Sequence, residues 1–79
     1  MQTRDIQKIK SELARVRFGG RLRYAREELA LSQERLAEMA GLHRTYIGQV
    51  ERGERNISID NMEKLATAVN MQLWEMLRP

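Results

Sequence analysis

The chain has 79 residues, 14 Lys or Arg against 11 Asp or Glu, a net charge of +3, one His and no Cys. This length holds one small domain, near the lower end of what folds unaided. Lack of Cys excludes disulfides and thiolate metal sites, one His supplies neither a ligand cluster nor a nucleophile–base pair, and no uninterrupted apolar run marks a signal peptide or membrane span. The chain is therefore expected to be soluble and cytoplasmic, with no catalysis, cofactor or metal.

Residues 3–16 place Ile6, Ile9, Leu13 and Val16 at helical steps, with Thr3 as a cap and Asp5 in the first turn. Gly19 and Gly20 are expected to loosen or break this helix, since each costs about 1 kcal/mol against Ala in a helix interior. A helix from about Phe18 to Leu29 follows, with Phe18, Leu22, Ala25 and Leu29 on one face. Ser32 caps the next, which runs to about Ala40, and another spans about Arg44 to Arg52 and stops at Gly53. Ser58 caps a helix with the stripe Ile59, Met62, Leu65, Ala66 and Val69, and Asn70 is its left-handed terminator. Residues 72–77 form a last short helix bearing Leu73, Trp74, Met76 and Leu77. No segment alternates with the period of a strand. The expected fold is all-α: a compact domain of five helices over residues 18–79, preceded by an amphipathic basic helix over residues 1–17.

Charge placement says more than net charge. Residues 1–17 carry five basic and two acidic groups, whereas residues 18–79 carry nine of each. A neutral domain binds an anionic partner only if its basic groups share a face. Residues 31–53, LSQERLAEMAGLHRTYIGQVERG, supply that face. Leu36, Ala37 and Ala40, then Leu42, Ile47 and Val50, give two short helices one buried stripe each on either side of Gly41. Gly41 falls where the chain must reverse, and Ala37 is small where the helices cross. This is the layout of a helix-turn-helix, whose second helix fits the DNA major groove. Its outer surface, His43, Arg44, Thr45, Tyr46, Gln49 and Arg52, is almost entirely hydrogen-bond donors.

With these residues in register, Phe18 to Leu77 resembles the Cro/repressor-type (XRE-like) helix-turn-helix regulators, which have a lambda-repressor-like fold. The string LHRTYIGQVERGERN is similar to controller proteins of restriction–modification systems. The resemblance implies that Arg44, Thr45, Gln49 and Tyr46 contact base edges. It also implies that Gln33, Arg52, Arg55, Asn56 and Ser58 meet the DNA backbone. An Arg is apt for reading, because its fork pairs with O6 and N7 of guanine. Arg26 and Glu51 match a buried ion pair common in this fold. Two departures stand out. Ala30 replaces the usual glycine before the motif, which implies a tighter turn or a longer helix. Gly48 is unusual within a recognition helix and would let the backbone approach DNA closely.

The resemblance further implies a homodimer on a palindromic operator in double-stranded DNA, with Trp74, Leu73 and Leu77 at the dimer contact. Glu34 and Glu38, on the outer face of the motif's first helix, correspond to positions that touch RNA polymerase in some relatives. The alternative function is an antitoxin, or a prophage or plasmid repressor, with a protein partner. The N-terminal helix lies outside the resemblance. Its heptad steps suit packing on its own domain or extending a dimer contact, with its basic face free for phosphate.

Overall fold

The computed structural model describes residues 3–79, with side chains from Ala14 onward. It is all-helical over these residues: α1 Thr3–Glu28, α2 Gln33–Ala40, α3 Arg44–Glu51, α4 Ile59–Ala68 and α5 Leu73–Leu77. The expected break at Gly19–Gly20 is absent, and α1 runs unbroken through both glycines. The reason is packing. A Cβ on Gly19 would lie far inside van der Waals contact of the Val50 carbonyl oxygen and 2.9 Å from that of Glu51. Gly19 is thus the point where the α1 backbone crosses the end of α3, and burial of the flanking Phe18 and Leu22 offsets its poor helix propensity. Gly20 faces open space. The expected side-chain roles of Thr3, Ile6, Ile9 and Leu13 lie outside the described residues, and Val16 is exposed.

The remaining helix ends follow local chemistry. The Ser32 hydroxyl accepts from the Arg35 amide at 2.9 Å, and the Ser58 hydroxyl from the Asn61 amide at 3.2 Å. Gly41 adopts φ 68°, with its amide directed at the carbonyls of Ala37 and Glu38, while Leu42 closes the turn on Ala37 at 2.9 Å. Asn70 is left-handed at φ 61°. At Ala30, α1 closes with the Ala30 amide on the Glu27 carbonyl at 3.0 Å. Ala30 takes the left-handed conformation itself, at φ 56°, despite its Cβ.

One core gathers all five helices. Phe18, Leu22 and Ala25 of α1 meet Leu36 and Ala37 of α2, Ile47 and Val50 of α3, Leu65 and Ala66 of α4 with Val69, and Met76 of α5. Besides Val16, two expected stripe members lie outside it: Leu29, which follows the end of α1, and Ile59, whose position at the start of α4 turns it to solvent. The fifth helix is held by α1. Arg17 donates from Nη1 to the Leu77 carbonyl at 3.1 Å, and Arg21 from Nη1 to the carbonyls of Glu75, at 3.1 Å, and Arg78. These carbonyls are otherwise orphaned at a helix end. Among the described residues no helix is long and apolar enough to cross a membrane.

Candidate nucleic-acid interface

The interface begins in the interior. Arg26 donates from Nε and Nη2 to the two Glu51 carboxylate oxygens, at 2.6 and 3.0 Å. The Glu51 side chain is 2% exposed and that of Arg26 11%. Arg26 also donates from Nη1 to the Leu31 carbonyl at 2.8 Å, and the Gln33 amide donates to Glu51 at 3.0 Å. One carboxylate thus joins the end of α1, the start of α2 and the end of α3. The hydrogen bond from Arg26 to Glu51 raises the guanidinium pKa against the opposing effect of burial. No polar side-chain atom buried among the described residues lacks a partner.

Gln33 is fixed by that bond, and its amide faces Gly48 across the turn. Gly48 is buried, and a Cβ there would meet Arg52 Nη1 at 3.1 Å and the Gln33 amide atoms at 3.7 and 3.8 Å. In the free protein its lack of a side chain serves the Gln33 and Arg52 side chains that fold over it. Gln33, Arg44, Thr45, Gly48 and Arg52 together line a shallow open cleft where the starts of α2 and α3 meet. Arg44 and Thr45 are exposed, and Gln49 is half-buried one turn on.

Tyr46 behaves differently from its neighbours. It is half-buried against the core, its hydroxyl accepts from Asn61 Nδ2 at 3.2 Å, and the Arg55 guanidinium stacks over its ring at 5.0 Å. No local pattern in the sequence marks Asn61, whose contact lies fifteen positions away. Arg55, Asn56 and Ser58 are exposed on the loop into α4, with the Ser58 hydroxyl already engaged as the α4 cap. Arg52 and Glu54 pair at 2.9 Å. Their hydrogen bond raises the Arg52 pKa and holds the Glu54 carboxyl below the usual carboxylate range.

The acidic residues of α2 are exposed, and both have cation partners: Glu34 with Arg44 at 3.4 Å and Glu38 with Arg35 at 2.9 Å. On α5 Trp74 lies outside the core, 63% exposed, and Arg78 stacks on its ring at 5.7 Å. Leu73 and Leu77 are half-buried and pack against the core.

Residues 22–73 match the helix-turn-helix family model. The chain belongs to the helix-turn-helix family. Among relatives of this helix-turn-helix protein, control protein C.BamHI of Bacillus amyloliquefaciens is 45% identical over 64 residues, covering 80% of this chain and 79% of the relative. The restriction–modification controller protein C.AhdI from Aeromonas hydrophila superposes with a TM-score of 0.74 at 52% identity, over 77% of this chain and 92% of that one. The biofilm master regulator SinR, solved in complex with DNA, superposes with a TM-score of 0.73 at 31% identity, over 77% and 98%. With the exposed donors of α3, these place the chain among DNA-binding transcription regulators.

Proposed function

We propose that the chain is a controller of a restriction–modification system, acting in the cytoplasm as a homodimer on a palindromic operator. What carries the reading is the cleft at the start of α3, where exposed donors stand on a frame fixed by the buried Glu51. Arg44, Thr45 and Gln49 read base edges in the major groove, and Gln33, Arg52, Arg55, Asn56 and the start of α4 at Ser58 engage phosphate. Tyr46 contacts DNA while holding the following loop through Arg55 and the start of α4 through Asn61. Trp74, with Leu73 and Leu77 behind it, forms the dimer contact, since a large aromatic at an interface centre buries much area at little entropic cost. An activating contact with RNA polymerase would fall on the exposed Glu34 and Glu38.

Selection of bound duplexes from a random pool tests this directly. The expected result is two inverted half-sites about 34 Å apart, one helical turn, as two recognition helices related by a twofold axis require. Recovery of a single asymmetric site, or of no shared sequence, would refute the palindromic dimer.

A further inference from the structure

Arg44, the first residue of α3, holds Nη1 3.4 Å from Oε1 of Glu34, the second residue of α2. Both side chains are largely exposed, at 66% and 71%, so the pair adds little to the fold. Its position is more informative. Gln33, immediately before Glu34, is locked to Glu51 by its amide, which sets the start of α2 against α3. The Glu34 carboxylate lies beside the guanidinium of Arg44, which itself lines the cleft. A guanidinium carries five donors in one plane. Directing Nη1 toward Glu34 leaves the opposite edge, Nε and Nη2, free for the paired acceptors of a guanine.

We propose that Glu34 is a specificity-determining residue, which draws Arg44 by one edge and offsets its charge on DNA that lacks the matching guanine. The inference rests on Arg44 reading a base, as proposed above. Phosphates attract a bare arginine whatever the sequence, which raises affinity for every duplex without improving discrimination. Beside Glu34 part of that attraction is offset, and a larger share of the binding comes from directional hydrogen bonding that only a correctly placed pair of acceptors satisfies. A guanidinium oriented beforehand also loses less side-chain freedom on binding. Glu34 thus weakens binding to random DNA more than binding to the operator.

The test uses Glu34→Gln, which removes the charge and keeps the shape, in the full chain. Binding is titrated by fluorescence anisotropy across a salt series, to the duplex recovered from the random pool and to a shuffled duplex of equal composition. Glu34→Gln is expected to bind the shuffled duplex about three- to tenfold more tightly, with a salt slope steeper by up to about one per protomer. Binding to the recovered duplex changes less, so the specificity ratio falls. Glu63→Gln makes the same charge change on the exposed side of α4 and is expected to leave the ratio unchanged. In an Arg44→Ala background, Glu34→Gln no longer alters the ratio. An unchanged ratio in Glu34→Gln, an equal fall in Glu63→Gln, or an effect that persists without Arg44 overturns the proposal. Base reading by Arg44 fails separately: Arg44→Ala alone would then leave the ratio at its wild-type value.

Discussion

Adjacent glycines in α1 offer a sharp test of the packing. By helix propensity alone, Gly19→Ala and Gly20→Ala should each stabilise the domain by about 0.5–1 kcal/mol. At Gly20 the added methyl meets nothing within 4 Å, so that gain should be realised. At Gly19 it meets the Val50 and Glu51 carbonyls, which are backbone and cannot swing aside. α1 must then move off α3, and overpacking of this kind costs about 1–3 kcal/mol or more. The two variants should therefore differ by about 1.5–4 kcal/mol, and for a domain this small each kcal/mol moves Tm by about 4–8 °C. Thermal unfolding followed by circular dichroism should show Gly20→Ala above wild type and Gly19→Ala below it by several degrees. Because the displaced carbonyls include that of Glu51, Gly19→Ala should also weaken DNA binding. If Gly19→Ala melted at or above Gly20→Ala, the close crossing of α1 over α3 would be wrong.

The other expectations rest on single observations. Ala30→Gly should stabilise by about 0.5–1 kcal/mol, since it relieves a left-handed alanine at an exposed turn, and an unchanged urea midpoint would count against that torsion. Glu51→Gln leaves the Arg26 charge buried without its counter-ion, which costs about 3–5 kcal/mol, a large part of the total stability of such a domain. Equilibrium unfolding measures it, and a loss below about 1 kcal/mol would show that the pair is solvated. Arg44→Ala should cost about 1–3 kcal/mol and relax preference at one base pair, whereas Arg52→Ala should weaken all duplexes alike and make the salt slope shallower. Equal losses on operator and random DNA from both would erase the division between reader and anchor. Trp74→Ala should lower the dimer fraction in sedimentation, and an unchanged fraction would remove Trp74 from the interface.

Much of the fold was legible because its signals are local. Ser32, Gly41, Ser58 and Asn70 each act on backbone within four residues, so their positions in the chain mark helix ends that the structure retains. Gly19 misled for the opposite reason. Its cost is local, while its compensation is a contact with Val50 and Glu51 some thirty residues away, which no periodicity reports. Ile59 and Leu29 carried the right spacing but sat at helix ends, where the apolar face turns away from the core. In the site, family likeness marks the Arg26–Glu51 pair, and Arg44 stands out by its place on α3. The pairing of Glu34 with Arg44 and of Asn61 with Tyr46 is not legible in the sequence, because side-chain pairing between elements depends on how the helices cross. Arg17 and Arg21 share one face of α1, yet nothing in the sequence names carbonyls more than fifty residues on as their acceptors.

The same pairings explain how a domain with nine basic and nine acidic groups can still present a DNA-binding face. Arg26 is buried against Glu51 and belongs to the frame. The two exposed arginines of the cleft, Arg44 and Arg52, are each matched by a carboxylate, from Glu34 and Glu54, so the face is rich in donors without a large net field. A strongly basic patch would bind any duplex and lose discrimination among the many competing sites. Matched arginines keep their directional hydrogen bonds while giving up part of their long-range attraction, so discrimination depends on acceptors arranged at short range. For this chain, counting charges is uninformative, whereas the geometry set by Glu51, Gln33 and Gly48 decides which donors reach the groove.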